Sequence, residues 1–458
     1  MGNVPVENQK HEISERHGLG DLSWTNKKTS SWSKDPSAVY PGNYGETTLD
    51  AIAKGYRVES PILIRAPLDP LFACLSQNFA LLQVPNFGIV YKQDAEAEAV
   101  AAMESFIIKT PCSSANIGPG FDVIGLALSV YLELHVTIDR SKTKSEHPLN
   151  CKITYEGEGE DEISLDPQVN LLTRVALYVL RCNDQRAFPV ETHIHIKNPI
   201  PLGRGLGSSG AAVVAGVALG KEVGGLKHLD NDRLFDYCLM IERHPDNVGA
   251  ALYGGFVGTY LKPLTPEDVA RTEIPLSEVL PAPAGGEDTG KKPPAPPHGI
   301  GHHIKFPWAK EIKAVAIIPD FQVATHAARG VLPANYTRPD VVFNLQRIAL
   351  LPVALGQSPP DPELIHLAMQ DKIHQPYRQT LIPGLTEIVE TMSPKTDEGF
   401  LGVCLSGAGP TILALATHNF EAIADKIIAK LREHNEKKDL SCQWKVLEPA
   451  EGTHVVRS

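Results

Sequence analysis

The stretch "PLGRGLGSSGAA", Pro201 to Ala212, restricts the folds open to this chain more than any other. It follows a segment that alternates with period two, "VETHIHIKNP", and runs into a small-residue, helix-forming segment from Ser208 to about Val223. A strand, a glycine-rich bend and a helix start therefore stand in series. Glycines let main-chain N–H groups turn toward one point, and a helix N-terminus adds unpaired donors with a partial positive charge. Together these make an anion site, most often one for phosphate. The residues it would use are Pro201, Gly203, Arg204, Gly205, Leu206, Gly207, Ser208, Ser209 and Gly210. The prolines stiffen the approach and the glycines admit the anion. Ser208 is placed to ligate a magnesium ion bridging two phosphates, and Ser209 to add a hydrogen bond.

Gly205, Gly207 and Gly210 also satisfy G-x-G-x-x-G, the dinucleotide fingerprint. That fold needs the first glycine at a strand end and an acid roughly 20 positions later, closing a second parallel strand. Here "NPIPLGR" separates strand from glycine, and residues 211–245 read helical almost throughout. A Walker A loop is excluded because no Lys-Ser/Thr follows the last glycine.

A formal net charge of −11 argues against nucleic acid or an acidic membrane as the main partner. Seven cysteines are scattered without a C-x-x-C, so a disulfide framework or structural zinc is not expected. A reducing cytoplasm is the expected compartment. No apolar run reaches the roughly 18 residues of a membrane span, and the N-terminus has no apolar core of a signal peptide.

Residues 1–102 read as a poorly ordered extension, the first fifty polar and without period, the rest apolar but broken by prolines. A clean pattern starts at Met103, the expected beginning of the functional part, and a chain starting there should keep its activity. "FIIKTP", "YLELHVTIDR" and "CKITYEG" read as strands and "NLLTRVALYVLRC" as a helix. In "VETHIHIKNP", His193 and His195 read as strand residues rather than metal ligands. "NDRLFDYCLMIERH" is a helix opened by an Asn/Asp cap. Residues 103–262 make a first domain. Residues 263–303, rich in Pro and Gly, read as a flexible insertion in which His298, His302 and His303 carry no site. Residues 304–458 make a second domain, with a strand at "EIKAVAIIP", a helix at "PDPELIHLAMQDKIHQPYR" and a strand–turn–strand at "GFLGVCLSGAGPTILALA".

Three further stretches share the glycine loop's character. "TPCSSANIGPGFDVIGLAL" (110–128) is a polar, glycine-rich loop carrying Asn116 and Asp122. "IERHPDNVGAALYGGF" (241–256) gathers Glu242, His244, Asp246 and Asn247 just after a helix, its acid placed to complete a magnesium site with Ser208. "LSGAGPT" (405–411) is a second glycine turn, able to brace the phosphate loop from below.

With "SSANIGPGFDVIGLALS", "IPLGRGLGSSGAA", "HPDNVGAALYGG", "ATHAARGVLP", "HQPYR" and "LSGAGPT" in this order, the chain resembles the GHMP small-molecule kinases, and among them the homoserine kinase branch in its fungal forms. The resemblance runs from about Met103 to the C-terminus. It implies an α+β fold: an N-terminal domain like domain 2 of ribosomal protein S5, with a left-handed β-α-β unit, joined to a ferredoxin-like C-terminal domain. It also implies phosphoryl transfer from MgATP to the hydroxyl of L-homoserine on the route to threonine; the alternatives are another GHMP kinase of mevalonate type or a non-catalytic nucleotide-binding regulator, and a homodimer is expected. Carried over by motif, Asn116 and Asp122 hold the substrate, Asp122 facing its ammonium group. His244 and Asn247 flank the hydroxyl, and Thr325, Arg329 and Arg378 complete the site. Asn170 becomes an adenine-side contact. Glu242 is the favoured metal acid, with Asp236 as the alternative. Guanidiniums pairing with a carboxylate, and one acid facing an ammonium, suit a zwitterionic amino acid. Asn247 stands where related kinases carry an aspartate base and cannot accept a proton. Catalysis then rests on alignment and charge stabilisation.

Overall fold

In the computed structural model, residues 103–272, 290–435 and 439–457 are described, and they belong to one compact unit. The readings made for residues 1–102 fall outside them. The N-terminal half opens with β1 (Met103–Ala115) and β2 (Ile124–Asp139), paired antiparallel along their length with a shift at Pro111/Cys112. The polar stretch at 110–128 is thus mostly strand. Only residues 116–123 form the bend between β1 and β2, because Cys112–Ala115 and Gly125–Leu128 complete the ladder. Next come β3 (Cys151–Gly157), α1 (Leu171–Cys182), β4 (Thr192–Asn198) and α2 (Ser208–Val223). After these follow α3 (Asn231–Ile241), α4 (Pro245–Tyr253), β5 (Phe256–Leu261) and α5 (Pro266–Thr272).

Asn170 caps α1 by accepting the Leu172 amide, and Asp230 caps α3 by accepting that of Arg233. Helix α4 was not legible in advance. Its signals are Pro245 in the first turn and Asp246 beside it. The small residues of α2 have a packing reason: a Cβ on Gly216 would lie 2.6 Å from the Leu172 carbonyl oxygen, so α2 meets α1 backbone to backbone.

Strand β6 (Gly301–Phe306) pairs with β5, whose other neighbour is the first half of β2. The proline-rich segment before β6 is not a loose linker where it is described. Arg233 donates to the carbonyls of Pro296 and Pro297, Tyr178 to that of Pro294, and the Gly299 and Ile300 amides donate to Asp236. Polyproline backbone has free carbonyls, and α1 and α3 supply their donors.

The C-terminal half contains β7 (Lys313–Pro319), α6 (Thr325–Gly330), α7 (Arg338–Gly356), α8 (Pro362–Ala368) and α9 (Gln375–Arg378). It continues with α10 (Leu385–Thr391), β8 (Phe400–Leu405), β9 (Ile412–Ala416), α11 (Phe420–His434) and β10 (Cys442–Leu447). The single helix expected at 360–378 is two helices. Asp371 takes the amides of Ile373, His374 and Gln375 between them, ending one helix and starting the next. Strands β10-β7-β9-β8 form a wholly antiparallel sheet. This is the strand order of a ferredoxin-like βαββαβ unit.

Strand β11 (His454–Arg457) leaves this half and pairs with β1, so the larger sheet runs β11-β1-β2-β4-β3. The segment read as a separate second domain therefore gives β11 and part of β6 to the first sheet. One core, including Leu134, Val175, Leu219 and Phe256, lies under the larger sheet, and another, including Ile317, Leu405 and Ile427, under the smaller. Full burial of such side chains stabilises by roughly 1.5–3 kcal/mol each. Among the described residues, no helix is long and apolar enough to cross a membrane.

Candidate active site

Strand β4 ends at Asn198, and the chain passes through buried Ile200 into a bend where Gly203, Gly205 and Gly207 adopt φ of 64°, 80° and 67°. Two of these positions are closed to any side chain. A Cβ on Gly205 would stand 2.3 Å from the Ser406 carbonyl oxygen, and one on Gly207 2.1 Å from Ser113 Oγ. Gly207 caps α2, and its carbonyl accepts the Ala211 amide. The amides of Ser208, Ser209 and Gly210 precede that bond and have no helical partner. Pro201 and Leu206 are buried behind the bend rather than lining the cleft.

The turn at 405–411 backs the loop, as its glycines suggested. Ser406 Oγ donates to the Gly205 carbonyl at 2.7 Å and lies 2.7 Å from Ser114 Oγ, while the Thr411 amide donates to the Arg204 carbonyl at 3.2 Å. Arg204 itself pairs with Asp320.

Across the cleft, the bend between β1 and β2 is folded on itself. The Asp122 amide donates to Asn116 Oδ1 at 2.9 Å, and the Asn116 amide to Asp246 Oδ2 at 3.2 Å. A chain of side chains then crosses the site. Arg329 grips Asp122 with both terminal nitrogens, at 2.8 and 3.3 Å, and its Nε donates to His244 Nε2 at 3.0 Å. His244 Nδ1 in turn bonds Glu242. The Glu242 carboxylate raises the His244 pKa above its ordinary value, against the effect of burial. With Nε2 accepting from Arg329, the ring here is the neutral tautomer with its proton on Nδ1.

Arg378 is almost wholly buried. Its Nε donates to the Ala328 carbonyl and its Nη1 to that of Gly407, and its guanidinium lies 5.1 Å from the centre of the Phe121 ring. Asn116, Asp122, Ser208, Glu242, His244, Asn247, Thr325, Arg329 and Arg378 all line one cleft. Asn247 accepts from Ser113 Oγ at 3.2 Å, and Thr325 is exposed at the start of α6. Asp236 lies outside the cleft, committed to Arg233 and the proline-rich segment, so of the two acids considered for a cation only Glu242 is in place. A second, mainly apolar slot adjoins Ser208 and Ser209 and is walled by Leu132, Tyr155, Ile163 and Ile196. Asn170 lines it, with its side chain spent on the Leu172 amide and the Ser164 carbonyl.

Two contributors, Phe121 and His374, were not singled out from sequence, and a third, Asp246, was grouped with its neighbours but given no role. Phe121 stacks on His374, with ring centres 5.5 Å apart, and carries both Arg329 and Arg378 on its ring. His374 bonds the Gly118 carbonyl through Nε2. Asp246, fully buried, accepts the amides of Asn116 and Asn247, and burial pushes its pKa up to about 7, with the Asp122 charge adding to the effect. The available signals were an aromatic residue beside an acid in a glycine bend, and a histidine four residues before Arg378.

A family model described as the GHMP kinases N terminal domain matches residues 170–255, and one described as GHMP kinases C terminal matches 357–437. With the glycine loop and the cleft, these matches define a kinase of the GHMP class. The homoserine kinase of Saccharomyces cerevisiae is 58% identical over 352 residues, covering 76% of this chain and 97% of that protein. That of Schizosaccharomyces pombe is 49% identical over 348 residues, covering 76% and 97%. A crystal structure of homoserine kinase from Cytophaga hutchinsonii superposes with a TM-score of 0.57 at 25% identity, over 77% of this chain and 98% of that one. The chain belongs to the homoserine kinase family.

Proposed function

We propose that this chain transfers the terminal phosphoryl group of ATP to the side-chain hydroxyl of L-homoserine, releasing ADP and O-phospho-L-homoserine for threonine synthesis. The observation that carries the reading is the Asp122–Arg329 pair at the mouth of the glycine loop. An amino acid presents an ammonium and a carboxylate, and these two side chains are their counterparts. When substrate enters, its ammonium takes over Asp122 and its carboxylate takes over Arg329, with Arg378 beside them. A hydroxy acid without an amine, such as mevalonate, leaves Asp122 without a cation.

The donor set also suits the nucleotide. The first-turn amides of α2 and the left-handed glycines form the phosphate cradle, and the apolar slot beside Ser209 suits the base. Glu242 and the half-buried Ser208 hydroxyl are hard oxygen donors that line the same cleft and would hold Mg2+. When bound, that ion neutralises charge on the phosphates. Asn247 aligns the hydroxyl and does not deprotonate it. As the bond from the terminal phosphorus to the bridging oxygen breaks, the substrate oxygen bonds to phosphorus and its proton passes late to an oxygen of the transferred phosphoryl group. A loose transition state requires no strong base.

The test is ADP release by purified protein with L-homoserine or mevalonate, with and without Mg2+. Turnover on L-homoserine that depends on the ion supports the reading. Turnover on mevalonate alone, or on neither, overturns it. A cytoplasmic homodimer is part of the same proposal. The support for the dimer is the apolar outer face of α7, where Val342, Leu345 and Val353 are exposed, and sedimentation velocity measures the association directly.

A further inference from the structure

Away from the cleft, His147, Glu191 and His193 bring one ligating atom each to within 4.8 Å of one another. They come from two segments. His193 is the second residue of β4, Glu191 immediately precedes that strand at a φ of 54°, and His147 lies on the link between β2 and β3. His193 Nε2 is 3.0 Å from Glu191 Oε1, and the His147 ring stands edge-on to that of His193 with centres 5.6 Å apart. Backbone bonds hold both segments: the Asp139 amide donates to the Glu191 carbonyl, the Asn150 amide to that of His147, and the His147 amide to Ser145 Oγ. All three side chains are half-buried.

Around an ion with bonds of about 2.0–2.1 Å, tetrahedral ligand atoms sit roughly 3.3 Å apart. The His193–Glu191 spacing is already near this, and the His147 nitrogen lies within 4.8 Å of both. Two imidazoles and a carboxylate favour Zn2+ and its borderline neighbours over Mg2+, whose preference is for oxygen. We propose that His147, Glu191 and His193 form a Zn2+-class site, separate from the phosphate cleft, with water as the fourth ligand.

His193 and Asn198 stand at opposite ends of β4, roughly 16 Å apart at strand rise. The bound ion therefore takes no part in phosphoryl transfer. It joins the β2–β3 link to the start of β4, and an ion that binds only the folded form raises stability with the logarithm of its free concentration once that exceeds Kd. Lys152 faces His193 from β3, exposed and free to turn outward, and it limits affinity. The neighbouring His135 pairs with Glu133, and His195 with Thr154 and, at 3.6 Å, with Glu156; among the described residues these side chains do not bring three ligating atoms within 4.8 Å of one another.

The experiment is isothermal titration of the chelator-treated full chain with ZnCl2, without Mg2+ or nucleotide, paired with unfolding temperature. One equivalent bound with a raised unfolding temperature is expected, and Co2+ in its place should show tetrahedral visible bands. His193→Ala and His147→Ala should each weaken binding at least tenfold and abolish the thermal gain. His195→Ala should retain both. Each variant's fold is checked by kinase activity in MgATP, which should stay at the parent level. Absence of binding, or binding unchanged in the His147→Ala/His193→Ala double variant, overturns the proposal.

Discussion

Replacing Asp122 with asparagine keeps the shape of the side chain and removes its charge. A hydrogen bond to a charged group is worth about 1.5–3 kcal/mol, or roughly ten- to a hundredfold in binding. Asp122→Asn is therefore expected to raise the homoserine KM by about that factor, with a smaller change in kcat. Steady-state kinetics separate the two. Ser208→Ala should do the reverse, lowering kcat on the order of tenfold while the homoserine KM moves little, if the hydroxyl serves the nucleotide end of the cleft as proposed. Asp246 makes a pH prediction. Its carboxyl is raised from 3.8 to about 7, chiefly by burial, so between those values the folded protein keeps a proton that the unfolded chain has released. This residue's contribution to stability therefore falls as pH rises through that window and levels off above about 7. Urea unfolding at pH 5.5 and 8 should show Asp246→Asn losing less stability than the parent over that interval. An equal loss would mean that Asp246 stays ionised in the fold.

At the scale of the elements, the phosphate loop depends on what lies behind it. A methyl group on Gly205 would meet the Ser406 backbone at 2.3 Å in a left-handed conformation, so Gly205→Ala must displace either the loop or the turn at 405–411. The expected result is a loss of about 1–3 kcal/mol of stability together with weaker nucleotide binding, read by thermal unfolding with and without ATP. The loop was legible in the sequence because glycine spacing and a following helix are local signals. So were α1, β4 and the start of α2 at Ser208. What was not legible came from long-range partners. Asp236 looked like a possible cation ligand until the proline-rich segment supplied two amides for its carboxylate. The polar stretch at 110–128 looked like a loop, since a hairpin buried on both sides does not alternate. Helices α8 and α9 looked like one helix because Asp371, which divides them, is an ordinary helical surface residue until its amide partners are known. Of the cleft, the charged and glycine residues were readable by type, whereas the ring of Phe121 under two guanidiniums was not.

At the scale of the whole molecule, the last residues return to the first strand. The Glu448 carbonyl accepts the Ser129 amide, Ala450 pairs with Ala127, Thr453 donates to the Ala251 carbonyl, and β11 lies along β1 in register from Phe106 to Lys109. A chain ending at Leu447 should keep its smaller sheet yet lose the cover on β1, with a lowered unfolding temperature and a tendency to associate through the bare strand. Light scattering on heating would detect this, and an unaltered melt would show that the tail is dispensable. The same closure bears on biosynthesis. A ribosome makes β1 long before β11, so the outer edge of β1 has no strand partner until the far part of the C-terminal half has been made. The larger sheet can thus reach its final form only late. The nascent enzyme is exposed to mispairing with neighbouring chains while that edge is open, so slow translation should offer it little protection and chaperone binding should persist until β11 has emerged.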